Sequence, residues 1–164
     1  MTASDLSLQL TAIAGGRGDR VDRARRAART IRTAGRYRWV GIYGVTDDEI
    51  AVIGWDGPAA PAHPRFPRTQ GLCGAAVATS ETVVVGDVSA DARYLTTHAT
   101  TRSEIVVPVA VSGQVVGLLD VESDRTDAFD EGDRALLERC STALRGLWGA
   151  DAGIEGSLDP PIAG

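Results

Sequence analysis

Two cysteines, two histidines and a few acids set inside apolar runs are the groups in this chain able to do chemistry. Cys73 sits in the turn-like GLCG, and Glu104 opens SEIVVPVAV. Asp120 and Glu122 interrupt GLLDVES, where an apolar strand would otherwise continue. Their spacing of two puts both carboxylates on one face of a strand. If Glu104 joins them, three carboxylates make a cation site, suited to an amine or a metal. Trp39, Tyr43 and Trp55 are placed to wall such a site, although aromatics on apolar strands also serve simply as core. Cys73 reads either as a thiol nucleophile or as a small buried hydrophobe. Glu104 has a plain alternative as a strand-edge acid paired with Arg102. His63 and His98 are the only histidines. With Cys73 or the carboxylates they offer donors for a transition metal, against the simpler reading of solvated loop residues.

These groups need elements to hold them. Residues 3–14 and 19–33 read as two helices split by GGRG; the second carries Val21, Ala24, Ala28 and Ile31 inward and arginines outward. YRWVGIYGV (37–45) and EIAVIGW (49–55) form a hairpin across Thr46-Asp47-Asp48. DGPAAPAHPRFPR, with four of the seven prolines, reads as extended loop rather than strand or helix. GLCGAAVATS is a short, tightly packed helix and ETVVVGDV a strand. Residues 89–102 are a polar excursion. SEIVVPVAV and QVVGLLDVES pair across Ser112-Gly113, a two-residue hairpin signal. Asp130 caps a last helix whose stripe is Leu136, Leu137, Cys140, Ala143, Leu144 and Leu147.

This order predicts an α+β domain: an antiparallel sheet, helices packed on one face, and the 89–102 segment as a lid over a pocket on the other. We expect one domain over residues 1–148, with N-terminal helices in 1–34 and the sheet core and terminal helix in 35–148. Residues 149–164, rich in Gly, Pro and Asp, read as a flexible tail.

Composition narrows the function. The chain has 164 residues, 43% hydrophobic and 24% charged, which suits a globular fold. A net charge of −5 argues against nucleic acid or anionic lipid as the main partner. The arginines between Arg17 and Arg32 read as the solvated face of a helix. No apolar run reaches the ~20 residues of a membrane span, and the N-terminus shows no secretion signal. Free thiols in a cytoplasmic protein are therefore expected.

The order of elements, with LCGAAVATSETVVVGDV, SEIVVPVAVSGQVVGLLDVES and AFDEGDRALLERC, resembles a GAF domain. Within that superfamily the pattern from about Tyr37 to Leu147 is most similar to the free methionine-(R)-sulfoxide reductases. The resemblance implies that Glu104, Asp120 and Glu122 stand where that group grips the amino group of its substrate. It also exposes departures. The reductases use three cysteines: one before the GLCG turn, one within it, and one in a His-Ile-Ala-Cys-Asp segment. Here only Cys73 is retained. His63 replaces the first, and ungapped alignment puts Thr97 at the nucleophile's position with His98 beside it.

Sulfoxide reduction of this kind needs a thiolate to attack sulfur and a second thiol to resolve the product. A threonine hydroxyl cannot become a sulfenic acid. The resemblance therefore implies a small-molecule-binding, sensor-type domain that keeps the binding half: Trp39, Tyr43, Trp55, Cys73, Thr97, His98, Glu104, Asp120 and Glu122, with no cofactor and a polar or zwitterionic ligand. One rival is a thiol reductase using Cys73. Another is a ligand-free interaction module. In either case the Leu136–Leu147 stripe is the expected homodimer contact.

Overall fold

Capping boxes fix the starts of the first and last helices. Thr2 accepts from the Asp5 backbone N–H at 3.1 Å while Asp5 accepts from that of Thr2 at 3.0 Å; Asp130 and Asp133 repeat the reciprocal pair. The computed structural model describes residues 1–149. Four helices, α1 (Ala3–Ala14), α2 (Arg20–Gly35), α3 (Gly71–Thr79) and α4 (Glu131–Ala143), accompany six strands. The strands are β1 (Trp39–Val45), β2 (Glu49–Asp56), β3 (Arg65–Pro67), β4 (Val83–Val85), β5 (Ser103–Val111) and β6 (Gln114–Ser123). They form one sheet in the order β3-β2-β1-β6-β5-β4, antiparallel at every pairing. Single 3₁₀ segments cover Val88–Ala90 and Leu144–Trp148. Of the expected tail 149–164, residues 150–164 lie outside the described residues.

The sheet divides the interior in two. One core packs Leu6, Leu10, Ala24, Ala28, Ile31, Leu137, Cys140 and Leu144 against Val40, Ile42, Ile105, Leu119 and Val121. The other packs Leu72, Cys73, Ala76 and Val77 of α3 against Trp39, Tyr43, Val106 and Leu118. Helices α1, α2 and α4 thus share the expected face, while α3 lies under the lid on the other. Alternation along each strand produces the split, since neighbouring residues point to opposite faces.

Three expectations change. Arg65–Pro67 is a short edge strand on β2, not loop: Phe66 pairs with Ile50. Proline is tolerated there because an edge strand leaves one row of donors unpaired. Val21, in the first turn of α2 at the margin of its apolar stripe, stays 51% exposed. The Leu136–Leu147 stripe is consumed by its own chain: Leu144 is 0% and Leu147 3% exposed, both in the helical core. A dimer built on that stripe would have to open the fold. The Ser112-Gly113 turn is as expected, with φ of 50° and 77°, the left-handed pair a two-residue hairpin requires. Among the described residues no helix is long and apolar enough to cross a membrane.

Candidate functional site

Strand register assembles the carboxylates. Trp39 of β1 faces Glu122 of β6, and Glu122 faces Glu104 of β5. One step along, Gly41 faces Asp120, which faces Val106. Glu104 and Glu122 are therefore direct cross-strand neighbours, with Asp120 diagonal to Glu104 on the same face. All three are buried, at 3%, 1% and 1% exposure. Glu104 has no ion pair with Arg102, which removes the strand-edge reading. Arg102 is exposed and serves through its backbone, whose N–H donates to the Ser123 carbonyl.

Like charges so close and so dry are costly. Burial, then the neighbouring carboxylates, push Glu104 and Asp120 well above the usual carboxyl range. Both effects favour the protonated carboxyl over the carboxylate. Two of the acids' oxygens accept no hydrogen bond: Asp120 Oδ1 and Glu122 Oε2. A buried acceptor left unpaired costs about 1–3 kcal/mol.

Helix α3 brings in the thiol. Gly74 allows the helix to press on the preceding segment, because a Cβ there would lie 2.5 Å from the Thr69 carbonyl carbon. Cys73, one residue earlier, points at the sheet, and its sulfur and single oxygens of Glu104 and Asp120 lie within 4.8 Å of one another. A helix N-terminus ordinarily lowers a thiol's pKa. Here burial and the acids win, pushing Cys73 well above its ordinary value. Tyr43, raised chiefly by burial and then by Asp120, stays a neutral phenol. A cavity of about 10 Å³ remains between Cys73, Glu104, Asp120, Tyr43, His63 and Thr97, with Phe66, Gly71, Leu72 and Leu95 closing it.

The lid supplies the other side. The Ala62 N–H donates to the Thr97 carbonyl at 3.1 Å, tying the 89–102 segment to the proline-rich loop. His98 stacks edge-on against Trp39, ring centroids 5.0 Å apart. Its Nδ1 stands 3.8 Å from Glu122 Oε2, an ion-pair rather than a hydrogen-bond distance. The Ala59 carbonyl accepts from the Trp39 indole at 3.0 Å and lies 3.2 Å from His98 Nε2, so one oxygen orients both rings. Glu122, and then the Ala59 and Ala60 carbonyls, outweigh burial and hold the His98 pKa above its ordinary 6.5. Thr101 Oγ1 donates to Glu122 Oε1 at 2.8 Å. Around these groups opens a second cavity of about 290 Å³, lined by Arg38, Trp39, Pro58, Ala59, His98, Ala99, Thr100, Thr101 and Glu122. Gly41 makes the wall flat: a Cβ would meet the Trp39 ring at 2.3 Å.

Of the residues expected from sequence, Tyr43, Cys73, Thr97, Glu104 and Asp120 border the inner cavity, with His63 at its rim. Trp39, His98 and Glu122 border the outer one. Trp55 lies on the same sheet face, partly buried beyond Gly41, and lines neither. His63 and His98 fall in different cavities and form no joint donor set among the described residues. Sequence reasoning missed Thr101 and Arg38. Only their position, two residues before β5 and one before β1, hinted at them.

The sequence matches the GAF domain family over residues 19–145. It is 36% identical over 100 residues to GAF domain-containing protein A of Dictyostelium discoideum, covering 60% of this chain and 62% of that one. It is 32% identical over 110 residues to the free methionine-R-sulfoxide reductase of Escherichia coli, covering 65% and 66%. The chain thus spans just under two thirds of these curated relatives. The free methionine-R-sulfoxide reductase of Neisseria meningitidis, solved in complex with its substrate, superposes with a TM-score of 0.79 at 32% identity, covering 90% of this chain and 88% of that one. The family match, the six-stranded antiparallel sheet and the α3-under-lid arrangement agree: this chain belongs to the GAF domain family.

Proposed function

We propose that this GAF domain binds a small zwitterion through a site whose reductase chemistry has been lost. The observation that carries the reading is Glu122, 1% exposed and lining the 290 Å³ cavity, whose Oε2 accepts no hydrogen bond and has only the His98 Nδ1 contact at 3.8 Å. An ammonium there gains a charge-assisted hydrogen bond and relieves the crowded acids. Arg38 and His98 on the same wall suit the ligand's carboxylate, and Trp39 its apolar part. The likeness to reductases of free methionine-R-sulfoxide favours an amino acid or near relative. Loss of redox chemistry rests on Thr97, a hydroxyl beside Cys73 in the inner cavity, and on a Cys73 thiol held protonated.

Calorimetry of methionine, both its sulfoxides and other small zwitterions against the wild type tests the reading. Binding is expected, and Glu122→Gln should weaken it about tenfold or more, as for a lost charged hydrogen bond. Equal affinity in Glu122→Gln would remove this residue from the site. A thioredoxin-coupled assay should show no turnover of free methionine-(R)-sulfoxide. Turnover that disappears in Cys73→Ser would instead establish the one-thiol reductase.

A further inference from the structure

The inner cavity is a different kind of space from the outer one. At about 10 Å³ it is no larger than a single water needs, and no amino acid enters it. Around it stand a thiol from a helix and two carboxylates from adjacent strands, all buried, with donor atoms within 4.8 Å of one another. Donors of a tetrahedral zinc ion sit roughly 3.3–3.8 Å apart, given Zn–S near 2.3 Å and Zn–O near 2.0–2.2 Å. The cluster therefore needs only a small contraction. Asp120 Oδ1, which borders the cavity, is unpartnered in a residue 1% exposed.

We propose that Cys73, Glu104 and Asp120 form a metal site for a zinc-like divalent cation, seated in the inner cavity beside the ligand cavity. One sulfur and two carboxylates match zinc better than calcium, which takes six to eight oxygens, or magnesium, which avoids sulfur. His63 is at the rim of the same cavity, exposed and outside the 4.8 Å set, which leaves the fourth position to a water or an exogenous ligand. An ion here neutralises the dry acids that the sheet register forces together, and it leaves Glu122 to the outer cavity. Its residues neighbour Glu122, so the two readings touch, but the metal site is tested on Cys73 and Asp120 and the zwitterion on Glu122.

Cobalt titration of chelator-treated protein, with no amino acid present, is the test. A thiolate-to-cobalt band in the near ultraviolet should rise to one equivalent, vanish in Cys73→Ser and persist in Cys140→Ala. Asp120→Asn should weaken cobalt binding about tenfold or more. Absence of the band in folded wild type, or its survival in Cys73→Ser, overturns the site. Should Cys73→Ser fail to fold, X-ray absorption of the zinc-loaded wild type decides. One sulfur scatterer near ~2.3 Å supports the site, and a shell of nitrogen and oxygen alone overturns it. Zwitterion calorimetry on the same chelator-treated protein reports on the outer cavity separately.

Discussion

Cys73 and Cys140, the chain's only two thiols, lie on opposite faces of one sheet, Cys73 against β5 and β6 under the lid and Cys140 in the helical core. No side-chain motion brings them together while the sheet is intact. Burial pushes the Cys140 thiol up to about 12, and Cys73 is raised as well. Diamide or peroxide should therefore form no intramolecular disulfide in the folded protein. Intact mass under non-reducing conditions should stay that of the dithiol, and both thiols should titrate only after denaturation. A Cys73–Cys140 disulfide in natively oxidised protein would contradict the partition.

Thr97 shares the inner cavity with Cys73. Thr97→Cys should therefore create the oxidisable pair the wild type lacks. Mild peroxide is expected to cost this variant two hydrogens by mass and two of its three thiols, reversibly with dithiothreitol. Wild type treated alike should keep both.

The buried acids make metal-free, ligand-free protein sensitive to pH. Glu104 and Asp120 have folded pKa values above their ordinary 4.5 and 3.8. The native state therefore binds more protons than the unfolded chain between those values and the raised ones, so stability falls as pH rises through that range. Tm should decline from about pH 5 to pH 8. Asp120→Asn should flatten the slope and raise Tm at pH 8, by on the order of 1 kcal/mol or roughly 2–4 °C, while harming cation binding. A wild-type Tm that climbs over this interval would refute the assignment.

His98 acts in the same direction through a different partner. Its folded pKa lies above 6.5 because Glu122 favours the imidazolium. That contribution is complete below pH 6.5 and disappears as pH rises through the folded value. His98→Gln should therefore lower Tm more at pH 6 than at pH 9, where the two proteins should converge.

Packing sets the larger stability terms. Gly74→Ala places a Cβ 2.5 Å from backbone that cannot rotate away, and should cost about 1–3 kcal/mol. Leu144→Ala, at a fully buried position, should cost about 2–5 kcal/mol. Urea unfolding followed by circular dichroism reads both.

Much of this was legible in the residues. The capping acid at Asp130, the Ser112-Gly113 turn and the two-residue spacing of Asp120 and Glu122 are local signals, and each element they mark is present. Arg65–Pro67 was not legible, since three prolines within 61–67 mask a strand that exists only because β2 offers it an edge. The use of the Leu136–Leu147 stripe was also hidden: periodicity shows that a helix has an apolar face, not whether the chain itself covers it. Above all, no spacing rule joins Cys73 to Glu104 and Asp120. Their meeting depends on α3 folding under the lid while its neighbours in sequence order pack on the other face. His98 reaches Glu122 by the same long-range route, through a lid without regular structure.

The two-sided sheet has a consequence for descent. Folding strength resides mainly on the helical side, where Leu10, Ile31, Leu137 and Leu144 interlock away from every polar group of the site. Thr97 and His98 can therefore be exchanged without disturbing the layer that keeps the chain folded. Substitutions on the lid side leave this helical core untouched, because the lid residues do not pack into it.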